Sequence, residues 1–326
     1  MRAIRRTRYG GPEVLAVEHC VEQPLASDRV RIAVRAASLN PFEWHHQRGL
    51  PLLMRPSSGW TAPRDHWLGV DVAGVVVELG ADVDGDAVDL HVGDEVFGGA
   101  PGSLADRADA RPNLLAKKPA AVSFEEAAAV PLAGLTALQA LRKGRFHEGH
   151  AVLVLGASGG VGHYAVQLAR ALGASRVVGS CSTRNVALVR SLGADDVLDY
   201  TRGDVDSLDE CFDVVLDIAG GAPVHFLRQR LKPGGSVVLV GGPGDGRVLG
   251  PATRIVGGLL TSAFRPQRVV GVNASWSAED LQQLAGLLER GHLRSVIHRR
   301  VSLDETADAL AEVEAGHVAG KIVVVP

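Results

Sequence analysis

The chain is poor in cysteine and has no long apolar run, and both absences narrow its class. Its 326 residues include three cysteines, Cys20, Cys181 and Cys211, which lie far apart. That spacing fits neither a zinc-ligand cluster nor a disulfide framework, so each is interpreted as a small buried residue. No stretch approaches the roughly 20 apolar residues that span a bilayer, and no apolar core follows the N-terminal arginines as in a signal peptide. We expect a cytoplasmic protein with no membrane partner.

A marked excess of charge of one sign is also lacking. The chain has 34 Lys and Arg residues against 37 Asp and Glu residues, for a formal net charge of −3. This balance gives no support to a nucleic-acid partner. With 46% hydrophobic and 22% charged residues, the composition is that of an ordinary soluble globular protein. Because the chain exceeds the usual size of a single domain, we expect two domains.

The most informative motif is a glycine-rich turn after an apolar run. Residues 151–155 have the length and β-branched content of a buried strand, and residues 163–172 have helical spacing. Between them, Ala157, Gly159 and Gly162 reproduce the dinucleotide fingerprint G-x-G-x-x-G with alanine in the first place. Such a turn points backbone N–H groups and the positive end of a helix dipole at a phosphate. Two other interpretations are open here: a hydrolase nucleophile elbow with Ser158 as nucleophile, and a turn without a ligand.

The next apolar strand favours a dinucleotide. Residues 176–179 are apolar after Arg176 and lead into Ser180-Cys181-Ser182-Thr183-Arg184. In a Rossmann unit the end of this strand faces the adenosine ribose, where an acid selects NAD and an arginine accommodates the 2′-phosphate of NADP. The segment has no carboxylate, but it has hydroxyls and the Arg184 guanidinium, which binds phosphate through a forked pair of hydrogen bonds. The alternative is that Arg184 is a solvated residue at the start of a helix.

Further βα units follow and indicate a parallel sheet. Residues 194–200 and 212–218 have the character of short strands, and residues 223–230 that of a helix. A turn at residues 232–235 then precedes a strand at residues 236–240. Alternating strands and helices predict a sheet covered on both faces. No oxyanion-hole segment of the HGGG type precedes the glycine turn, which disfavours a hydrolase.

The N-terminal part predicts a different kind of domain. Residues 30–36 alternate apolar and polar side chains as in a half-buried strand, residues 70–79 form a longer β stretch, and residues 93–98 have the pattern of a turn followed by a strand. Short strands with Gly and Asp turns predict a β-rich barrel. We expect the boundary near residues 118–123, where Ser123 is an N-cap for a helix at residues 124–129 with acids in its first turn.

With these residues assembled, the whole chain resembles the zinc-independent, quinone oxidoreductase-like branch of the medium-chain dehydrogenases/reductases. Each segment that carries the resemblance is modestly specific, and the set in this order is highly specific. The segments are residues 9–15, 36–44, 69–76, 93–98 and 125–137, the glycine turn, residues 182–185 and the closing residues 320–325.

The resemblance implies an α/β protein with a GroES-like β-barrel catalytic domain and a Rossmann domain with a doubly wound parallel sheet. The catalytic domain would comprise residues 1–122 plus 266–326, and the NADP-binding domain residues 123–265, with the active site between them. The resemblance also implies NADPH as cofactor. It further implies a homodimer that pairs the edges of two Rossmann sheets, through residues 268–274.

Carried over residue by residue, the resemblance assigns a cofactor-binding set. Asn40 would lie near the nicotinamide ribose, and Thr136 near the pyrophosphate or nicotinamide. The pyrophosphate would be bound by Ser158, Gly159, Gly160 and Val161, the 2′-phosphate by Ser182 and Arg184, the adenosine would be flanked by Tyr200, and the nicotinamide side would be lined by Gly241 and Gly242.

The sequence departs from the zinc enzymes of the wider superfamily. Where those enzymes have a cysteine ligand and a Gly-His-Glu motif, this chain has Asn40-Pro41 and Gly69-Val70-Asp71, and the cysteine-rich structural-zinc lobe is absent. Catalytic zinc needs three protein ligands, and we find no set of three in this sequence. His45 and His46 are adjacent, so their side chains diverge on a strand and lie about 100° apart on a helix. We expect no metal site.

Without a Lewis acid, hydride transfer suits an acceptor that already spreads its negative charge, namely a quinone or an α,β-unsaturated carbonyl. The candidate catalytic residues are Asn40, Trp44 and His45, as donors to the developing oxyanion. For Trp44 and His45 helix packing is the alternative, and solvent is the alternative proton source. Residues 48–66 are interpreted as an apolar flap beside a small hydrophobic substrate, although they could simply plug the barrel. Two other functions stay open, a zinc-free NADP-dependent alcohol dehydrogenase or ketone reductase and a non-catalytic NADPH-binding sensor.

Overall fold

The computed structural model describes residues 1–205, 208–241 and 267–326, and it divides into two compact units. The first unit comprises Met1–Leu135 and Trp276–Pro326, and the second comprises Thr136–Ser275. The sequence placed the two boundaries earlier, after residues 122 and 265. The difference at the first boundary arises because the helix Phe124–Ala129 packs on strands of the first unit.

The strands and helices alternate as the sequence pattern predicts in the second unit and are mainly strands in the first. In chain order the strands are β1 (Arg2–Arg5), β2 (Ala16–His19), β3 (Val30–Ser38), β4 (Asp71–Leu79), β5 (Glu95–Gly99), β6 (Arg107–Ala110), β7 (Leu115–Lys117), β8 (Ala151–Leu155), β9 (Arg176–Cys181), β10 (Asp196–Asp199), β11 (Phe212–Asp217), β12 (Leu231–Leu239), β13 (Arg268–Gly271), β14 (Ile297–Ser302) and β15 (Lys321–Val325). The helices are α1 (Pro41–Arg48), α2 (Arg55–Ser58), α3 (Gly85–Val88), α4 (Phe124–Ala129), α5 (Pro131–Lys143), α6 (Gly162–Ala171), α7 (Val186–Ser191), α8 (Val224–Gln229), α9 (Ala278–Glu289) and α10 (Thr306–Glu314).

The first unit is a GroES-like fold around one sheet. Among the described residues, that sheet has the strand order β14-β15-β3-β4-β5-β7, with β6 paired to β3. The strand β3 is almost entirely buried, although its pattern predicts a half-buried strand. It lies in the centre of the sheet, and Arg31 on it is buried because Asp109 and Glu78 bind its guanidinium.

The N-cap of α4 is confirmed. Ser123 Oγ accepts a hydrogen bond from Glu126 N, and the Glu126 carboxylate accepts from Ser123 N, which is a capping box. The last three residues of the helix are alanines, and all of them are buried. Small side chains let the helix lie close to the strands β3 and β4.

The second unit is a Rossmann fold. Among the described residues its sheet has the order β10-β9-β8-β11-β12-β13, and all the pairs are parallel. This is the 3-2-1-4-5-6 arrangement of dinucleotide-binding folds, in which the strand order reverses beside β8. All five residues of β8 are buried, as expected for a strand covered on both faces. The glycine turn therefore leaves the sheet at the switch point, where ligands of such folds bind.

The predicted turn at residues 232–235 is a bulge within a strand. The strand β12 starts at Leu231, which pairs with Phe212, and its next pair joins Ser236 to Val214. The four intervening residues lie opposite Asp213 alone. Gly234 has φ +81, so the bulge places a glycine in the left-handed region. Among the described residues, none of the helices is long and apolar enough to cross a membrane.

Candidate functional site

The predicted site residues fall in both units, which are described separately. Asn40, Trp44 and His45 belong to the first unit, at the start of α1 and within it. In the second unit, half-buried Thr136 lies in α5, and the other residues follow the carboxyl ends of β8, β9, β10 and β12. These are Ser158, Gly159, Gly160, Val161, Ser182, Arg184, Tyr200 and Gly241; Gly242 lies outside the described residues.

The glycine turn after β8 is shaped by close backbone packing. Gly156 has φ +82, a conformation that favours glycine. A Cβ on Gly162 would lie 2.0 Å from the backbone oxygen of Gly156, so a side chain there would break the contact between the turn and α6. At Gly159 a Cβ would meet only the same oxygen, at 3.4 Å. Gly162 is therefore needed for packing, whereas Gly159 leaves open space above the turn.

That open space is lined by backbone donors. Within residues 1–205, 208–241 and 267–326, the N–H groups of Gly160 and Val161 have no hydrogen-bond acceptor. Val161 is the N-cap of α6, so these groups lie at the positive end of the helix dipole. Unpaired N–H groups at a helix N-terminus are what a phosphate requires.

The alanine in the first position of the glycine motif fits because the neighbouring strand, β9, has a glycine beside it. Ala157 is fully buried, and its N–H donates to Ser180 O on β9 at 2.8 Å. A Cβ added to Gly179 would lie 2.9 Å from the Ala157 methyl group and 2.7 Å from Val189. The Ala157 methyl group therefore occupies the space that a side chain at position 179 would fill. The turn forms although the first position of the motif is alanine instead of glycine.

The segment after β9 lies beside the turn. Ser182 is the N-cap of a 3-10 helix, Thr183–Asn185, and Arg184 is exposed. The Asn185 amide donates to Ser158 Oγ at 3.0 Å and to Ser182 Oγ at 3.4 Å. One side chain thus joins the phosphate turn to the predicted 2′-phosphate segment. Asn185 was part of the motif used for the resemblance, but it was not predicted as a site residue.

Asp199, an acid that was not among the predicted site residues, also lies at this edge of the sheet. Asp199 ends β10, and its carboxylate accepts from Thr183 Oγ1 at 2.5 Å, from Thr201 Oγ1 at 2.6 Å and from Thr201 N at 3.0 Å. The hydrogen bonds from Thr183 and Thr201 hold the pKa of Asp199 below its usual value. Each oxygen of the carboxylate therefore already accepts at least one hydrogen bond. The Thr183 hydroxyl is also engaged, and the predicted 2′-phosphate ligands Ser182 and Arg184 are its neighbours in the chain.

Tyr200 and Gly241 lie at the same edge of the sheet. Tyr200 follows Asp199 and is exposed. Gly241 follows β12, and a Cβ there would lie 2.3 Å from Ile218 O. Gly241 is therefore required by the close approach of the segment after β11.

In the first unit, three strand ends bring distant polar residues together. Ser38 ends β3, and its register partner Asp71 begins β4. Lys321 begins β15, which runs antiparallel to β3 with Val323 paired to Ser38. Asn40 follows β3 as the N-cap of α1. The topology alone thus collects a hydroxyl, a carboxylate, an ammonium and an amide at one end of the sheet.

Asp71 is the centre of this cluster. It is fully buried, and its carboxylate accepts from Ser38 Oγ at 2.7 Å, from Asn40 Nδ2 at 2.9 Å and from the Leu132 N–H at 2.9 Å. Lys321 Nζ lies 3.5 Å from it and also donates to Asn40 Oδ1. Burial lowers the pKa of Lys321, against the raising effect of Asp71 and Glu43. These donors satisfy the buried carboxylate in place of solvent.

Glu43 is a second buried acid in the cluster. Its Oε2 accepts from Asn40 N at 2.7 Å, while its Oε1 has no hydrogen-bond partner in the part of the chain that the structure describes. Burial, and then the nearby Asp71 charge, raise the pKa of Glu43 from 4.5 to about 8. With a pKa of about 8, the Glu43 carboxyl group is mainly protonated at pH 7.

Trp44 and His45 have structural contacts of their own. Trp44 is half-buried against the core of the first unit and stacks on His45, with ring centroids 3.6 Å apart. His45 Nδ1 lies 3.1 Å from Leu50 O, and burial lowers the pKa of His45. The imidazole is therefore neutral at pH 7, with its Nδ1 proton donated to Leu50 O and Nε2 left as an acceptor.

The predicted flap carries exposed apolar side chains. Leu52, Leu53 and Trp60 are 38%, 59% and 67% exposed, and a 3-10 helix, Leu52–Met54, leads into the short α2. Among the residues that the structure describes, there is no group of three His, Cys, Asp or Glu side chains placed to hold a metal ion.

Comparisons with known proteins match both units. The family described as "Alcohol dehydrogenase GroES-like domain" matches residues 26–166, and the one described as "Zinc-binding dehydrogenase" matches residues 192–324. The chain is 36% identical to 2-methylene-furan-3-one reductase of Solanum lycopersicum, over all of this chain and 79% of that protein. The chain belongs to the medium-chain dehydrogenase/reductase superfamily. Within it, the chain is quinone oxidoreductase-like.

Other members of the superfamily agree with this placement. The chain is 34% identical to the NADPH-dependent alkenal/one oxidoreductase of Arabidopsis thaliana, over all of this chain and 80% of that protein. Quinone oxidoreductase of Coxiella burnetii has a similar structure, with a TM-score of 0.84 and 32% identity, and covers 100% of this chain and 99% of its own. The Escherichia coli quinone oxidoreductase complexed with NADPH has a TM-score of 0.82 and 25% identity, with 100% of both chains covered.

Two glycine-to-alanine variants of the turn separate packing from ligand binding. Gly162→Ala places a Cβ against the Gly156 backbone, so we expect a loss of about 1–3 kcal/mol in the free energy of unfolding. Gly159→Ala has room for its Cβ, so we expect near-normal stability but a several-fold weaker Kd for NADPH, since the Cβ occupies the space of the phosphate. Urea unfolding and NADPH titration measure the two effects. Normal NADPH affinity in a folded Gly159→Ala would contradict the assignment of the turn.

Glu43→Gln tests the buried acid. Because the folded pKa of Glu43 lies near 8, the folded state keeps a proton that the unfolded chain loses above about pH 4.5. Stability therefore falls as pH rises through that window, by about 1 kcal/mol per unit, and stops falling above about pH 8. The variant removes this dependence, so it should match the wild type near pH 5 and be more stable near pH 8. Urea unfolding at both pH values checks this, and equal slopes would show that Glu43 is ionised in the folded protein.

Proposed function

We propose that the protein is an NADPH-dependent oxidoreductase that delivers hydride to a quinone or to the activated C=C bond of an α,β-unsaturated carbonyl. The observation that carries the proposal is similarity over the whole of this chain to a 2-methylene-furan-3-one reductase and to an NADPH-dependent alkenal/one oxidoreductase, together with a glycine turn at the switch point of a Rossmann sheet. The quinone oxidoreductases of similar structure support the quinone arm.

The residues present fit NADPH. The open space above Gly159 and the unpaired N–H groups of Gly160 and Val161 suit the pyrophosphate, together with Ser158. Ser182 and exposed Arg184 would hold the 2′-phosphate, beside Asp199, whose oxygens are already occupied. Asn40, Thr136, Tyr200, Gly241 and Gly242 complete the proposed cofactor-binding set. NADPH, when bound, supplies the hydride.

Among the proposed catalytic residues, Trp44 can donate its indole N–H to the oxygen that gains negative charge. Asn40 Nδ2 has a second hydrogen besides the one bound to Asp71, and this hydrogen would bind the nicotinamide half of the cofactor. Such donors lower the barrier most when they are already oriented before the reaction. His45 is neutral with its Nδ1 proton engaged, so it accepts rather than donates at pH 7. We assign it to the positioning of the flap and assign the proton of the second step to solvent.

The proposal also covers the substrate class, independence from zinc, the assembly and the location of the protein. The exposed apolar side chains of the flap suit a small hydrophobic substrate such as a quinone or an enone. Zinc independence is proposed because Asn40-Pro41 and Gly69-Val70-Asp71 stand where the zinc enzymes have ligands. A homodimer through the edge strand β13 and a cytoplasmic location stay predictions, as does the absence of nucleic-acid and membrane partners.

Turnover with a matched set of acceptors tests the reaction. We expect a quinone and an α,β-unsaturated ketone to consume NADPH, measured by its absorbance, and the corresponding saturated ketone to leave it unchanged, with or without a zinc chelator. Turnover of the saturated ketone alone would favour the zinc-free alcohol dehydrogenase. Tight NADPH binding without turnover across the set would favour the non-catalytic sensor.

Arg184→Ala tests the choice of cofactor. Removing a charge-assisted pair of hydrogen bonds to the 2′-phosphate should weaken NADPH binding about 10- to 100-fold and leave NADH binding unchanged. Arg190→Ala, at an exposed arginine on the following helix, is the matched control and should keep the preference for NADPH. Kd values for both cofactors in both variants make the comparison. An Arg184→Ala protein that still prefers NADPH would overturn the assignment.

A further inference from the structure

The Asn40 amide has one orientation, which its charged neighbours impose. The Lys321 ammonium can only donate, and the Asp71 carboxylate can only accept. Asn40 Oδ1 therefore faces Lys321 and Asn40 Nδ2 faces Asp71, as the structure shows. If the amide turned over, an N–H would point at the ammonium and the oxygen at the carboxylate. Both contacts would then be repulsive, so the turned amide is disfavoured.

The cluster that imposes this orientation is closed to solvent. Asn40, Asp71 and Lys321 are 4%, 0% and 2% exposed. Water cannot substitute for either charged partner, because these groups lie in the interior of the first unit. Ser38 and the Leu132 N–H hold the remaining positions of Asp71, so the carboxylate cannot turn towards another donor.

One N–H of the Asn40 amide is not used in these contacts. Its second Nδ2 hydrogen has no acceptor within the described parts of the chain. We propose that Lys321 is a positioning residue: with Asp71 it fixes the Asn40 carboxamide so that this second hydrogen is held ready for the nicotinamide half of the bound cofactor. The inference rests on the proposed NADPH site. Lys321 acts through Asn40, because its ammonium is turned towards Asn40 and Asp71.

The neutral pair variant Asp71→Asn/Lys321→Met separates this role from stability. Lys321→Met alone leaves the buried Asp71 charge without its cation and should be strongly destabilised. In the double variant no charge is buried, and the two amides at positions 40 and 71 can pair in either orientation. We expect stability to return towards the wild-type value while the Asn40 amide loses its fixed orientation.

Two ligands then report on the two halves of the cofactor. For the double variant, the Kd of NADPH should rise about tenfold, the effect of one hydrogen bond. The Kd of adenosine 2′,5′-bisphosphate, which lacks the nicotinamide half, should not change. Equal affinity for NADPH in the double variant and the wild type would overturn the proposal, and so would an equal loss for both ligands, which indicates damage to the fold.

A further substitution tests whether the effect passes through Asn40. Asn40→Ala should weaken NADPH binding in the wild type but add nothing in the double variant, because the oriented amide is already lost there. Additive losses would overturn the proposal. Arg31→Met is the matched control: it removes another buried cation of the same sheet, on β3, together with its contact to Asp109, and should lower stability without changing either Kd.

The binding measurements need no turnover. Failure of the wild type to reduce quinones or enones would overturn the proposed reaction, and the two Kd values would still decide the role of Lys321.

Discussion

The need to satisfy one buried carboxylate organises the first unit. Asp71 is fully buried, and its donors come from the end of β3, the cap of α1, the start of β15 and the beginning of α5. An unpaired charge in that position would cost several kcal/mol, so these elements must assemble together. The C-terminal strand is part of this requirement, because it supplies the only cation found in the cluster among the described residues.

The second unit depends on a steric constraint instead. The turn after β8 comes so close to its own helix and to β9 that Gly162 and Gly179 have no room for a side chain. These glycines permit close backbone contact. Beside that contact, the N–H groups of Gly160 and Val161 have no acceptor among the residues that the structure describes. The proposed ligand contacts of this unit are therefore backbone groups that packing has already ordered, and such groups bind phosphate without a side-chain cation.

Local patterns in the sequence predict much of the fold, and contacts between distant residues explain where the prediction differs. The Ser123 cap, the helix after it and the strands of the Rossmann sheet depend on neighbours within a few residues, and the structure has them. The buried state of β3 and the bulge of β12 depend on the strands beside them, which no local pattern shows. The domain boundary differs because α4 packs against β3 and β4, although it lies next to α5 in sequence.

In the candidate site, too, features that depend on nearby residues can be predicted, and features that depend on distant contacts cannot. The glycine turn and the Ser182-Thr183-Arg184 segment can be found from spacing and residue type. The partners of Asn40 cannot, because Lys321 and Asp71 are 250 residues apart. A weaker signal is present in the sequence, since Asp71 and Lys321 are charged residues that begin strands of otherwise mainly apolar residues.

Asp199 has a consequence for how cofactor preference can change in this protein. The edge of the sheet already contains both the arginine that suits a 2′-phosphate and an acid of the type that suits a ribose hydroxyl. The carboxylate of this acid accepts hydrogen bonds from the hydroxyl groups of Thr183 and Thr201. The guanidinium of that arginine and these two hydroxyl groups therefore lie on two neighbouring turns, which hydrogen bonds join to each other.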